Sequence, residues 1–159
     1  MVIVADSSPL ISFAILNKLE ILNKIFDDIL IPESIFIEIS INDKPYSNEL
    51  NEFAKNRTKK VKNKLAVQLL RKDLDLGESE AIVLAKENKI QDILIDEYKG
   101  RKIARETGLH PIGTIGVLLQ AKKQKILKEV KCELDKLIIN HIRISKDLYA
   151  TAIKLAGEK

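Results

Sequence analysis

Two short apolar runs in this chain end on a carboxylate. Met1–Ala5 (MVIVA) stops at Asp6, and Ile93–Ile95 (ILI) stops at Asp96. Apolar runs of this length read as buried parallel strands. In an open parallel sheet, ligands bind beyond the carboxyl ends of the strands, where the strand order reverses. If the two strands are neighbours, Asp6 and Asp96 face each other there. Close carboxylates repel unless one is protonated or a cation lies between them. Mg2+ takes one or two carboxylates together with water and substrate phosphate. Either acid alone reads equally well as a turn residue or helix N-cap; two of them on apolar strands favour a site.

Three further acids stand in helical text. Glu78 and Glu80 begin a helix in LGESEAIVLA. They are two positions apart, about 200° around a helix of 3.6 residues per turn, so one is a candidate ligand while the other serves as cap or helix-dipole partner. Glu38 stands in PESIFIEIS among Ile31, Ile35, Ile37, Ile39 and Ile41. That setting predicts partial burial and therefore a partner such as a metal, Arg or Lys, with a snorkelling surface Glu as the plainer alternative.

Other chemistries are excluded. The single cysteine, Cys132, permits no internal disulfide or Cys-rich zinc site, and His110 and His141 are too few and too scattered for a His-built metal centre. There is no Gly-x-x-x-x-Gly-Lys run, which removes a P-loop nucleotidase. Aromatics are 4% of the chain and Trp is absent, so a base-stacking platform is not expected. Asp6 is followed by Ser7 and Ser8 rather than by another acid, unlike phosphate-accepting receivers and Asp-x-Asp phosphatases.

Charge is local. The chain of 159 residues carries 27 Lys+Arg and 23 Asp+Glu, a net of +4. Residues 55–64 (KNRTKKVKNK) hold six of the basic residues and no acid; without them 21 basic face 23 acidic residues. Such a run, Lys59 and Lys60 included, is either a solvated loop or a footprint for a phosphate backbone.

The elements that must position these groups alternate. After the first strand, Ser8 as N-cap and Pro9 as first helical residue open a helix. A second helix is expected over 19–26, a strand over 28–31, a helix from Pro32 containing Ile35, Glu38 and Ile39, and a loop over 42–48. Residues 50–54 can be helical, and the basic run is a loop or edge strand. Helices follow at 65–70 and 78–86, a strand at 93–95, a helix at 98–106 closed by Thr107-Gly108, and a strand at 109–112. Helices are expected at 114–123, with Thr114 as N-cap in GTIG, and at 126–139. A last helix over about 145–157 is capped by Ser145. Strands alternating with helices imply βαβ units and a three-layer α/β/α fold in one domain over 1–159. No targeting segment stands at the N-terminus and no run reaches the roughly 20 apolar residues that span a bilayer; a soluble, cytoplasmic protein is expected.

The set Asp6, Glu38, Glu80 and Asp96, in the texts ADSSPLI, IPESIFIEI, GESEAIVLA and LIDEYKGRKIA, resembles the four-acid pattern of PIN-domain nucleases. HPIGTIGVLLQAKKQKIL and the tail ISKDLYATAIKLAGE look like a prokaryotic PIN-like subfamily of unassigned function, related to toxin ribonucleases of toxin–antitoxin systems. The resemblance implies a PIN-like fold with a central parallel sheet and Mg2+- or Mn2+-dependent hydrolysis of RNA. Asp6, Glu38, Glu80 and Asp96 would be the catalytic metal ligands, with Glu78 competing for the third place and Glu97 beside the fourth. Ser7, Arg101, Thr114, Lys59 and Lys60 would meet substrate. A small antitoxin and a homodimer partner are implied. The alternative is a non-catalytic PIN-like module that binds RNA or an antitoxin through the same scaffold.

Overall fold

A computed structural model describes residues 1–41 and 43–159. The loop expected over 42–48 begins at Asn42, which lies outside the described residues. Five parallel strands form one sheet: β1 (Val2–Ala5), β2 (Asp28–Pro32), β3 (Thr58–Lys59), β4 (Asp92–Leu94) and β5 (His110–Ile112), in the order β3-β2-β1-β4-β5. β1 is central. Its Ile3, Val4 and Ala5 are fully buried, as a strand covered on both faces requires. The chain steps outward from β1 to β2 and β3, then returns to place β4 on the other side of β1. The switch point therefore lies between β1 and β4, paired Ile3 to Asp92 through Ala5 to Leu94. Asp6 and Asp96 both leave the sheet at that point.

Ten described helices complete the three layers: α1 (Ser7–Ile15), α2 (Glu20–Ile25), α3 (Glu33–Ser40), α4 (Ser47–Ala54), α5 (Lys64–Leu70), α6 (Leu76–Glu87), α7 (Tyr98–Glu106), α8 (Thr114–Lys123), α9 (Val130–Ile139) and α10 (Lys146–Leu155). α6 packs along β1, β2 and β4. Leu10, Phe13, Ile29, Ile35, Ile82, Leu84 and Ile93 are among the largest fully buried side chains. The two-residue edge strand β3 is short and Lys-bearing, a form that discourages pairing with another chain.

Several boundaries differ from expectation. Asp6, not Ser8, is the N-cap of α1, so Ser7 and Ser8 lie inside the helix. α2 is shorter at both ends, β2 runs on to Pro32, and α4 begins within the expected loop. α5 starts one residue early, at Lys64. α6 starts at Leu76 because Asp75 closes a capping box with Glu78: the Glu78 amide donates to Asp75 Oδ1 at 2.8 Å and the Asp75 amide to Glu78 Oε1 at 3.2 Å. β4 is one residue earlier than expected, which leaves Ile95 to donate its amide to the Ile112 carbonyl, 2.9 Å away. β5 begins at His110.

The helix expected over 126–139 starts only at Val130. Lys125 takes a left-handed φ of 62° and ends α8, with the Ile126 amide donating to the Ala121 carbonyl. The Glu158 carboxylate then accepts from the Val130 and Lys131 amides at 2.8 and 2.9 Å and pairs with Lys122 at 2.7 Å. Ser145 does cap α10, its Oγ accepting from the Leu148 amide at 3.1 Å. Ser145→Ala removes that bond and is expected to cost about 1 kcal/mol, read as a melting temperature lower by roughly 2–4 °C.

Candidate active site

Asp6 and Glu78 form the buried heart of the carboxyl end of the sheet. The Asp6 amide is tied to the Leu94 carbonyl at 2.9 Å, and its side chain is only 4% exposed. Burial pushes the Asp6 carboxyl up to about 7, against the Ser7 amide that donates to it; the negative charges of Glu78, Asp75 and Glu38 push the same way. Glu78 is 7% exposed. Burial raises its carboxyl too, with Asp75 and Glu97 adding to the effect. Glu78 Oε1 serves the capping box, but its Oε2 is buried without any hydrogen-bond partner. The pair opens into a cleft of about 230 Å³ that Ser7, Ser8, Asp73, Asp75, Glu97 and Lys99 also line. Lys99 reaches Asp73 at 3.8 Å.

Two glycines fit against this group. A methyl group on Gly100 would lie 2.8 Å from Glu78 Oε2 and 2.6 Å from Ile95 Cδ1; one on Gly113 would lie 3.0 Å from Asp96 Oδ1 and 2.9 Å from Arg101 Nη1. The absence of a side chain there is what lets α7 and the β5–α8 turn come so close to the acids.

Asp96 is exposed, yet both oxygens are engaged. Oδ1 accepts from the Thr114 amide and Oδ2 from the Thr114 hydroxyl, each at 2.7 Å. Thr114 is thus not the N-cap of α8; Gly113 is, and Thr114 is buried and holds Asp96. Arg101 is half-buried beside them and donates to the Ile95 carbonyl at 3.1 Å. Burial and the charge of Arg105 lower its guanidinium from its ordinary value, while Asp96 acts in the opposite sense.

The other helical acids make different contacts. Glu80 turns to α3, where its Oε1 accepts from the Ser34 amide at 3.1 Å. Pro32, the N-cap of that helix, offers no side-chain bond, so Glu80 satisfies an amide that would otherwise be orphaned. Glu38 is exposed rather than partly buried: Ile35 and Ile39 face the core while Ile37 and Ile41 stand in solvent. It acts on Asp6 through its charge.

The basic run does not converge on the acids. Lys59 Nζ donates to Asn88 Oδ1, at the far end of α6 from Glu78. Arg57 lies over the Phe53 ring, 4.1 Å from its centre. The amides of Lys62 and Asn63 donate to Glu87. Of Lys59 and Lys60, Lys60 is the one that pairs near the carboxyl side, with Glu33 at 3.7 Å. Asp75 and Lys99 were not among the sequence candidates. The spacing Asp75-x-x-Glu78 carries a capping-box signal; nothing in the sequence marks Lys99.

Among the described residues, no three His, Cys, Asp or Glu side chains converge closely enough to enclose a metal ion. The donor set still fits one. Mg2+ binds through one or two carboxylates and keeps several waters. Asp6 with the unpartnered Glu78 Oε2 is such a pair, and its mutual repulsion is what a cation relieves.

A family model that describes a PIN domain matches residues 2–158. The chain belongs to the PIN-domain family. PIN domains are in general nucleases, which gives this one a nuclease-type function and a nucleic acid as substrate. They typically use divalent metals. No curated protein and no solved structure matches the chain. Among the described residues no helix is long and apolar enough to cross a membrane.

Proposed function

We propose that this PIN domain is an endoribonuclease that hydrolyses RNA phosphodiesters with Mg2+ or Mn2+ bound at the carboxyl end of the sheet. The observation that carries this reading is the buried pair of Asp6 and Glu78, one carboxyl pushed up to about 7 and the other left with an unpartnered oxygen. Burying carboxylates in this way is costly, and a divalent cation offsets the cost. A cation held by Asp6 and Glu78 would supply Lewis-acid polarisation of the phosphodiester and activation of water.

Asp6 and Glu78 hold the ion in this reading. Asp96, oriented by Thr114, and Glu38 are the further carboxylates at the rim. Glu80 supports the arrangement through the start of α3. Ser7 orients Asp6 through its amide, and Arg101 offers its guanidinium to a phosphate oxygen. Lys60 and, more remotely, Lys59 attract the RNA backbone without reading its sequence.

The test pairs thermal melting with cleavage. Mn2+ at a hundred times its Kd adds about 2.7 kcal/mol, a melting-temperature rise of roughly 5–10 °C in a chain of this size. That rise and Mn2+-dependent cutting of single-stranded RNA are expected to vanish in Glu78→Gln and to persist in Glu80→Gln. A flat melting temperature with intact RNA sinks the reading. Weight then passes to a non-catalytic module, for which the exposed Ile37 on α3 and Ile41 at its C-cap offer a surface to a small antitoxin or a second copy.

A further inference from the structure

Beside the acid cleft lies a second hollow, a groove of about 410 Å³ between α1, α8, the turn after α9 and the start of α10. The two are contiguous, since Ser8 and Glu97 line both. Their walls differ in chemistry. The cleft is acidic. The groove is apolar over most of its surface, with Ile11, Ile115, Ile142, Ile144 and Leu148 on its walls and Ser12, His141 and Arg143 as its polar groups; Asp96 and Thr114 form the edge toward the acids.

We propose that this groove seats the nucleobase of the nucleotide next to the scissile phosphodiester, an inference that rests on the nuclease reading above. A nucleotide divides as the hollow does. Its phosphate belongs where carboxylates and a cation meet, and its flat heterocycle belongs where apolar side chains exclude water. A concave, largely apolar site of a few hundred Å³ with few polar groups at its edge is the common form of a small-ligand pocket.

Among the described residues no Phe, Tyr or Trp lines the groove, and the His141 imidazole is its one ring. The base therefore packs among branched aliphatic side chains, with the His141 imidazole and the planar Arg143 guanidinium as the flat groups that meet it. Contacts of this kind read area rather than hydrogen-bond pattern. The larger purines are held more tightly than pyrimidines, with no further sequence discrimination.

The test is a 1H–15N NMR titration of the intact protein with adenosine 5′-monophosphate, and with ribose 5-phosphate as the base-free probe. The mononucleotide is expected to shift the amides of Ile115, Ile142, Arg143, Ile144 and Leu148; ribose 5-phosphate is not. Leu148→Asp and Arg143→Ala each weaken mononucleotide binding about tenfold or more, raise KM for RNA, and keep the Mn2+-dependent rise in melting temperature. Leu148 is 48% exposed and Arg143 stands in solvent, so both substitutions are compatible with folding. If Leu148→Asp nevertheless melts early, Arg143→Ala and the wild-type shift map decide. Equal shifts from both probes, or mononucleotide shifts confined to the acid cleft, overturn the base seat. A wild-type protein without any Mn2+ response fails the nuclease reading instead, and the base-dependent shifts remain readable without metal.

Discussion

Asp6→Asn is expected to raise the melting temperature of the metal-free protein at pH 8 while reducing RNA hydrolysis by roughly a hundredfold or more. The two effects have one origin. The Asp6 carboxyl titrates at an ordinary 3.8 in the unfolded chain and at about 7 in the folded one. The folded state therefore holds the proton more tightly between those values, and stability falls as pH rises through that window. Below 3.8 the group costs nothing; above 7 the charged form costs its full amount. A displacement of that size corresponds to an upper limit on the order of 4 kcal/mol.

Asn is neutral at every pH and remains an acceptable N-cap for α1. The variant gains most at pH 8 and little near pH 4. The measurement is melting in EDTA at several pH values, variant against wild type, so that other titrating groups cancel. A difference that stays flat with pH, or that favours the wild type at pH 8, removes the electrostatic account of the site. A site residue that lowers stability while serving chemistry is a recurring feature of functional centres.

Gly100→Ala should lower both stability and metal response. On helix propensity alone the change is favourable by about 1 kcal/mol, because Gly100 lies inside α7. Packing opposes it. The new Cβ would meet Ile95 Cδ1 at 2.6 Å and Glu78 Oε2 at 2.8 Å, and overpacking of this kind costs about 1–3 kcal/mol. Ile95 is fully buried and Glu78 nearly so, so both side chains must shift to admit the methyl group. A melting temperature lower by a few degrees and a weakened Mn2+ response are expected. Gly116→Ala is the control: its Cβ would be 3.4 Å from Ile112 Cγ2, and the same propensity gain should appear there as neutral or slightly stabilising. If Gly100→Ala stabilises the protein and keeps the Mn2+ response, close approach of α7 to Glu78 is not a requirement of the site.

The sheet and the acids at its switch point were legible because apolar strands that stop on Asp6 and Asp96 admit few other readings. Which of Glu78 and Glu80 is the more deeply buried was not. α6 buries Ala81, Ile82, Val83, Leu84 and Ala85 in succession, so no amphipathic stripe fixes which face meets β1; its rotation is set by packing on three strands. Helix ends were blurred for another reason. Asn17, Lys89, Lys125 and His141 take left-handed backbone angles that a Gly would have signalled. The basic run showed its charge but not its direction, because β3 is only two residues long and has no periodicity to orient Lys59 against Lys60. Glu38 looked enclosed because its neighbours in sequence are isoleucines, two of which the fold leaves in water.

The central place of β1 also governs when the site can exist. Its pairing with β2 closes a short loop, from Val2 to Asp28, whereas its pairing with β4 joins Ile3 to Asp92, roughly ninety residues downstream, and the entropy of closure grows with that separation. Asp96 follows β4 and joins Asp6 only with the second pairing, whereas Glu78 lies on α6, which packs on β1 and β2 as well as on β4. The carboxylates are thus gathered from segments far apart in the chain, and the packed core bears the repulsion they introduce. β1 paired with β2 alone presents one acid, and the others stand beside it only in the completed sheet and its helices.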